Sequence, residues 1–243
     1  MNILVTNDDG IESLGLHALA RRLAEEGDVI VLAPSADVSG ASAAIGSIGA
    51  ELPDVVQVIG GELGPIRAYH FDGTPGLAAL LACCGLFDVV PDVVVSGINR
   101  GWNVGRSIHF SGTVGACLAA AGFGVPAIAV SQVAAEAGEA QWFETAADVA
   151  ADMLDDVLSG SRLLNVNVPN RPASGLAGTL ETALSDRLPY AMHSPTLTPV
   201  SPGRFSATFR RFGPFERPPG TDVHAVEHGY VSVTALSPTH RVR

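Results

Sequence analysis

The stretch at residues 2–10, NILVTNDDG, joins an apolar segment directly to two aspartates and a glycine. Two later stretches repeat the apolar part, VVVS at residues 93–96 and AIAVS at residues 127–131. Segments that are apolar at consecutive positions are typical of strands buried on both faces. The sequence therefore predicts a parallel sheet that is covered by helices.

Strand-like and helical segments alternate along the first part of the chain. Apolar residues recur at helical spacing after the first strand, at Leu16, Leu19, Ala20 and Leu23. The predicted strands are at residues 2–6, 28–33, 66–71, 92–96, 127–131 and 163–168, and the later helices at residues 74–85, 111–122 and 142–158. We predict that residues 1–170 form a doubly wound, Rossmann-like α/β domain with a mainly parallel sheet and helices on both faces.

The composition changes after Pro169, where Pro, Ser, Gly and Thr become frequent and helical periodicity is lost. Short β-like runs appear at residues 204–212 and 229–236. We predict that residues 171–243 form β-rich arms or hairpins and a C-terminal segment, packed on the same domain or exchanged between subunits.

The charge of the chain restricts its partners. Its 243 residues carry a formal net charge of −11, and all 14 basic residues are arginine. Such a chain lacks the basic surface that a nucleic-acid polymer requires, whereas a small anionic substrate remains possible if a cation screens it. The absence of lysine excludes a P-loop lysine and a Schiff-base lysine.

The sequence also predicts a cytoplasmic protein that contacts no membrane. It contains no apolar run of the roughly 20 residues that a membrane helix needs, and no signal-peptide pattern. Its three cysteines, Cys83, Cys84 and Cys117, form no spaced metal framework. We interpret them as small core residues in a reducing compartment.

Two adjacent carboxylates, Asp8 and Asp9, follow the first strand. The carboxyl ends of strands are where open α/β sheets bind their ligands. Neighbouring anions repel each other unless water or a cation neutralises them, and a hard cation with oxygen ligands does so. The alternative is an acidic turn that caps the next helix.

Further oxygen-bearing loops follow other strands, with Ser39 after the second and Asn99 after residues 92–95. Parallel strands bring these loops to one edge of the sheet. Two charged and two neutral oxygen ligands suit Mg²⁺ or Mn²⁺ and leave positions for water and a substrate oxygen.

A candidate anion site begins at Ser111-Gly112-Thr113, where an apolar helix starts. Free N–H groups and the positive end of the helix dipole favour a phosphate there, although Ser111 is equally interpreted as an ordinary N-cap. The glycine-rich segment before it carries Asn103, and His109 lies beside it. His109 either protonates a leaving group or only packs.

Six motifs occur in a characteristic order and together resemble the SurE family, the survival protein E nucleotidases. They are NDDG, SGAS, SGINRGWNVG, FSGTVGA, LNVNVP and GTDVHAVEHGYVSVTAL. The resemblance implies a divalent-metal-dependent phosphomonoesterase with 5′/3′-nucleotidase, acid-phosphatase-like activity. It also implies a homodimer or homotetramer with a swapped C-terminal tail.

The resemblance implies roles for individual residues. One divalent ion per subunit would be held by Asp8, Asp9, Ser39 and Asn99. The catalytic positions would be Asp8, Asn99 and Asn103, and the substrate-binding positions would be Ser39, Asn103, Ser111, Gly112 and Thr113. We expect attack by a metal-activated water on a nucleoside monophosphate, with Asp8 orienting or deprotonating that water; attack by Asp8 itself stays open. Trp102 and Tyr69 are candidates for stacking on a base.

The chain departs from the family pattern at several places. These are residues 12–15 after NDDG, residues 76–77, Phe110 in place of tyrosine, Ala119-Ala120 in place of a Glu-Gly pair, and a short tail ending at Arg243. The last two of these departures motivate an alternative function, a nucleotide-binding or scaffold protein on a SurE-like fold with weak or lost catalysis. The sequence leaves open the base, the sugar, the 5′ or 3′ position of the phosphate and the physiological metal.

The sequence argues against three other interpretations. Receiver domains and haloacid-dehalogenase-type phosphatases also use aspartates, but both need a lysine that this chain lacks. His224 and His228 are spaced as a zinc pair would be on a helix, yet Gly220 and the β-like run after the pair argue against a helix there.

Overall fold

The computed structural model describes residues 1–46, 52–160, 163–186, 191–192, 196–208, 211–212 and 217–237. Its strands are β1 (Asn2–Thr6), β2 (Asp28–Pro34), β3 (Val55–Val58), β4 (Arg67–Phe71), β5 (Val93–Arg100), β6 (Ala127–Gln132), β7 (Leu163–Val168), β8 (Thr179–Glu181), β9 (Ala191–Met192), β10 (Thr196–Ser201), β11 (Arg204–Thr208), β12 (Arg211–Phe212) and β13 (Val231–Leu236). Its helices are α1 (Leu14–Leu23), α2 (Pro75–Cys83), α3 (Gly112–Gly122), α4 (Phe143–Asp152), α5 (Leu154–Gly160) and α6 (Asp222–Glu227).

Within these residues one large sheet has the strand order β3-β4-β2-β1-β5-β6-β7-β13-β8. The six strands from β4 to β7 in this order pair in parallel. The strand β3 pairs antiparallel to β4 at one edge, and β13 pairs antiparallel to β7 near the other. The prediction of a doubly wound, mainly parallel α/β fold is confirmed.

Helices cover both faces of the sheet and create two apolar cores. Against one face, buried residues of α1, α4 and α5 pack on β1, β2 and β5 to β7. Against the other face, buried residues of α2 and α3 pack on the same central strands. Helix α2 begins where the sequence signals it: Thr74 accepts a hydrogen bond from the Leu77 N–H, and Pro75 occupies the first helical position.

Three details of the first 170 residues differ from the predictions. The edge strand β3 was not predicted, because it has only four residues and its middle two are exposed. The helix predicted at residues 142–158 is interrupted at Met153 and forms α4 and α5, which lets Leu154 and Val157 face the core. Cys84 is exposed, whereas Cys83 and Cys117 are buried as predicted.

Residues beyond 170 contribute to the large sheet as well as to hairpins. The strands β8 and β13 extend the sheet, and β10 and β11 form a separate antiparallel hairpin whose residues are all exposed. The sequence argument against a helix at His224 was wrong: α6 begins after Thr221, whose side chain accepts a hydrogen bond from the His224 N–H. Gly220 precedes this N-cap instead of interrupting the helix. The domain boundary at residue 170 and the exchange of arms stay predictions.

No helix in the described part of the chain is long and apolar enough to cross a lipid bilayer.

Candidate active site

The turn after β1 is closed by a buried asparagine. Asn7 accepts a hydrogen bond from the Gly10 N–H at 3.2 Å, and its amide donates to the Gly10 carbonyl at 3.0 Å. The Val38 N–H donates to the Asp8 carbonyl at 2.8 Å, which ties the loop after β2 to this turn. The backbone that carries the two aspartates is therefore fixed from both sides.

A single cleft of about 430 Å³ lies at the carboxyl ends of β1, β2 and β5. It contains six of the predicted site residues, and Gly112 and Thr113 lie behind its wall. The residues that line it are Asp8, Asp9, Ser39, Gly40, Asn99, Arg100, Gly101, Trp102, Asn103, Ser107, Phe110 and Ser111. The structure thus brings together the strand ends that the sequence analysis singled out.

Asp8 forms the back of the cleft and is almost fully buried. The Thr113 hydroxyl donates to Asp8 Oδ1 at 2.7 Å, and the Gly112 N–H donates to Oδ2 at 3.1 Å. Burial raises the pKa of Asp8, and these hydrogen bonds oppose that rise. Gly112 and Thr113, which were predicted to bind phosphate, therefore hold Asp8 here, and their phosphate-binding role stays a prediction.

Asp9 presents an unsatisfied carboxylate oxygen. Its Oδ2 is buried and has no hydrogen-bond partner. Burial, followed by the nearby negative charges of Asp8 and Asp37, raises the pKa of Asp9 to about 6. A buried, unpaired carboxylate oxygen beside a second acid is the environment in which a bound cation relieves both desolvation and repulsion.

The two neutral candidate ligands are also anchored in the cleft. The Ser39 N–H donates to Asp37 Oδ1 at 2.7 Å. The Ser39 side chain, followed by this N–H, lowers the pKa of Asp37 by hydrogen bonding to its carboxylate. The Asn99 amide nitrogen donates to the Gly101 carbonyl at 2.8 Å, so its carbonyl oxygen is the ligand atom that Asn99 offers.

This donor set fits a hard divalent ion. Two carboxylates, a hydroxyl and an amide oxygen line one cleft, and Mg²⁺ and Mn²⁺ favour such oxygen donors. Among the described residues, no group of three or more His, Cys, Asp or Glu side chains could hold an ion. A metal in this cleft would therefore need the neutral oxygens as well as the two aspartates.

Asn103 is held at its backbone and at its side chain. Its amide nitrogen donates to Ser131 Oγ at 2.8 Å and lies 3.5 Å from Thr113 Oγ1. Its peptide N–H and carbonyl contact the side chains of Asn165 and Asn167 on β7. The sequence analysis missed these two residues, although polar residues inside an otherwise apolar strand were a signal for them.

The start of α3 combines both interpretations of Ser111. Its hydroxyl accepts a hydrogen bond from the Val114 N–H at 3.1 Å, as an N-cap does, and the residue also lines the cleft.

The 3₁₀ turn before α3, Gly105–Phe110, is held from the C-terminal part of the chain. There the buried Asp222 accepts hydrogen bonds from the N–H groups of Gly105, Ser185 and Val223 at 2.6, 3.0 and 2.8 Å. The sequence analysis missed Asp222.

The aromatic and histidine candidates divide into those that line the cleft and those that do not. Trp102 lines it, together with the exposed Phe110, which was not proposed as a stacking residue. Tyr69, the other stacking candidate, does not line the cleft, and its ring packs against Phe87 with 4.9 Å between the centroids. The His109 side chain is exposed and outside the cleft lining.

Of the features that the zinc interpretation of the histidine pair requires, the structure shows only the helix. His224 and His228 stack with 4.0 Å between their ring centroids. Within the described residues they join no larger group of potential metal ligands.

Comparison with known proteins identifies the family of the chain. The sequence model of the family described as "Survival protein SurE" matches residues 3–189. The chain belongs to the SurE family. It is 40% identical to the 5′-nucleotidase SurE of Laribacter hongkongensis, over 98% of this chain and 93% of the relative. It is 38% identical to the 5′-nucleotidase SurE of Nitrosococcus oceani, over 97% of this chain and 91% of the relative.

A solved structure supports the same assignment of this SurE chain. The crystal structure of the SurE protein from Aquifex aeolicus superimposes with a TM-score of 0.81 at 31% sequence identity. The match covers 100% of this chain and 95% of that protein. The family resemblance inferred from the six motifs is thus confirmed.

Proposed function

We propose that the chain is a 5′-nucleotidase, a divalent-metal-dependent hydrolase that converts nucleoside monophosphates to nucleosides and phosphate. The observation that carries this proposal is the buried, unpaired Oδ2 of Asp9 next to Asp8, in a cleft with Ser39, Asn99 and Asn103. The 5′-nucleotidase names of two relatives, each at least 38% identical, support the reaction class.

A cation is required on electrostatic grounds. The chain has a net charge of −11, and its cleft contains two adjacent carboxylates. A phosphate monoester is itself an anion, so these carboxylates would repel it if no cation neutralised them. Asp8, Asp9, Ser39 and Asn99 would hold one Mg²⁺ or Mn²⁺, which when bound polarises a phosphoryl oxygen and lowers the pKa of a bound water.

The residues of the chain supply orientation and charge stabilisation. Asp8 is fixed by Thr113 and Gly112, and it would orient the attacking water or accept its proton. Asn103 would donate to an equatorial phosphoryl oxygen as negative charge develops, which is typically worth about 3 kcal/mol per well-placed donor. Ser111 would contact the phosphate from the start of α3. Trp102 and Phe110 would line the space for the nucleoside.

The alternative of a nucleotide-binding or scaffold protein with weak or lost catalysis was motivated by Ala119-Ala120 and by the short tail, and the structure bears on the first of these. Ala120 is fully buried in the core formed by α2 and α3, and neither alanine lines the cleft. That departure from the family pattern therefore leaves the proposed metal and phosphate contacts intact. The homodimer or homotetramer and the cytoplasmic location stay predictions.

A metal-by-nucleotide screen tests the proposal. Phosphate release from nucleoside 5′- and 3′-monophosphates is measured with Mg²⁺, with Mn²⁺ and after chelation. We expect metal-dependent release that chelation abolishes and metal restores. In the Asp8→Asn variant we expect loss of turnover with the fold retained.

The control is Asp92→Asn, an exposed acid at the opposite end of the sheet that accepts a hydrogen bond from the Asn2 N–H. This variant should keep its activity. Metal-independent activity, or full activity in Asp8→Asn, would refute the proposed function, and nucleotide binding without phosphate release would support the alternative.

A further inference from the structure

One side chain, that of Asn167, binds both backbone polar groups of Asn103. The Asn103 N–H donates to Asn167 Oδ1 at 2.8 Å, and the Asn167 amide nitrogen donates back to the Asn103 carbonyl at 2.9 Å. Asn165 donates to the same carbonyl at 2.8 Å. Both β7 side chains are fully buried, and the Asn103 residue is 8% exposed. The contacts join parts of the chain that lie more than 60 residues apart.

Two buried amides on a central strand are costly unless their polar atoms find partners. The neighbouring residues Leu164, Val166 and Val168 belong to the apolar core on one face of β7. Asn165 and Asn167 alternate with them and turn to the other face. Their amides bind the backbone of Asn103 in the loop before α3. Asn165 Oδ1 has no hydrogen-bond partner. An apolar side chain at residue 167 would instead leave the N–H of Asn103 buried and unsatisfied.

The backbone of Asn103 has no other regular support. Residues 102–104 lie outside any strand or helix, between β5 and the 3₁₀ turn. The side chain of Asn103 contacts Ser131 and approaches Thr113, whose hydroxyl binds Asp8. The position of the Asn103 amide relative to Asp8 thus depends on where β7 holds the Asn103 peptide.

We propose that Asn167, assisted by Asn165, is a positioning residue of the hydrolytic reaction: it holds the backbone N–H and carbonyl of Asn103 so that the Asn103 side chain stays beside Asp8 in the cleft. This inference rests on the proposed function. Asn167 touches neither the cleft nor a proposed metal ligand directly, so its replacement should alter turnover while metal binding persists.

The decisive variant is Asn167→Asp. One carboxylate oxygen can still accept from the Asn103 N–H, while the other faces the Asn103 carbonyl and repels it. Protonation of the new carboxyl group restores a donor at that position, and burial raises its pKa into an accessible range. At about pH 8 we expect kcat to fall by about ten- to hundredfold with little change in KM, because small misplacements of a catalytic group cost about that much.

The pH profile distinguishes positioning from a merely structural defect. With metal saturating at each pH, the ratio of the kcat of Asn167→Asp to that of the wild type should rise several-fold from about pH 8 to about pH 5.5. The matched control is Asn170→Asp, whose amide lies just beyond β7 and holds Ala140 and Gln141 instead of Asn103. For this variant we expect a ratio that is near one and independent of pH.

The other outcomes are separable. Mn²⁺ affinity, measured by calorimetry, should stay within about threefold of the wild type in Asn167→Asp, since the proposed ligands are intact. A folded Asn167→Asp variant with wild-type kcat at every pH would overturn the positioning role and leave the proposed function standing. A wild-type chain without metal-dependent phosphate release would overturn both.

A second variant keeps the test usable if Asn167→Asp does not fold. Asn165→Ala removes one of the two donors to the Asn103 carbonyl, while Asn167 continues to bind the N–H and the carbonyl of Asn103. We expect a several-fold lower kcat without the pH-dependent recovery. Wild-type kcat in this variant would count against the proposal.

Discussion

The hydroxyl of Thr113 donates a hydrogen bond to Asp8 Oδ1 over 2.7 Å, joining residues 105 positions apart in the chain. Thr113 lies in the first turn of α3, and Asp8 follows β1. Asp8 is buried, and an anion in such a place needs donors to remain ionised. The start of α3 therefore stabilises the ionised form of Asp8 even without a bound substrate.

Replacing Thr113 by valine should lower kcat/KM by about ten- to hundredfold, because a hydrogen bond to a charged group contributes about 1.5–3 kcal/mol. Valine keeps the volume of threonine but cannot donate. Thr113→Ser retains the hydroxyl and should stay within a few-fold of the wild type. Steady-state kinetics with a nucleoside monophosphate checks this, and equal rates for both variants would contradict it.

Gly112→Ala should abolish most activity while the chain still folds. A Cβ at Gly112 would lie 2.7 Å from Asp8 Cβ and 2.8 Å from Asp8 Oδ2, so Asp8 must move. Alanine is otherwise favourable in a helix. Gly122→Ala, at the other end of α3, meets no atom within 4 Å and should leave activity unchanged. Activity and thermal denaturation of the two variants are compared, and an active Gly112→Ala enzyme would disprove the contact.

Asp9→Asn should stabilise the metal-free protein and weaken its response to metal. The substitution removes the repulsion between adjacent carboxylates, so the melting temperature measured in chelator should rise. Addition of Mn²⁺ should raise the melting temperature of the wild type but hardly that of the variant, since a ligand stabilises by its affinity for the folded state. Asp92→Asn should respond to Mn²⁺ as the wild type does. An equal response in Asp9→Asn would remove Asp9 from the proposed ligand set.

Asp222 should make stability depend on pH. Burial raises its pKa above the ordinary value of 3.8, despite backbone donors, those of Gly105 and Ser185 first among them, that oppose the rise. The folded state then binds the proton more tightly than the unfolded state, so the contribution of Asp222 to the unfolding free energy decreases as the pH rises from about 4 through its folded pKa.

The measurement is urea denaturation of the wild type and of Asp222→Asn in chelator, across about pH 4 to pH 8. Subtracting the two curves removes the contributions of Asp8 and Asp9. The wild type should lose stability relative to the variant as the pH rises. A difference that stays constant over this range would contradict the assigned shift.

Much of the fold and the cleft follows from local sequence signals. VVVS and AIAVS predict parallel strands because both faces are apolar, and parallel strands bring the polar residues that follow them to one edge. Asp8, Asp9, Ser39 and Asn99 could therefore be assigned to one site in advance. The structure confirms that these residues line one cleft, and their roles there stay predictions.

The remaining features depend on contacts that no local pattern encodes. Gly112 and Thr113 bind Asp8, and Asn103 binds Asn167. Gly105 binds Asp222, which lies 117 positions later in the chain. Helix α6 and strand β3 are too short for periodicity to detect them, and tertiary packing determines their conformation.

The order of these partners along the chain bears on protein synthesis. A nascent polypeptide that has left the ribosome as far as α3 already carries Asp8, Asp9, Ser39 and Asn99, but neither β7 nor α6. Its Asn103 and Gly105 consequently lack the groups that hold them. We expect a stalled nascent chain to be inert toward nucleotides until β7 and α6 have been made, and a prematurely terminated chain that lacks them to stay inert.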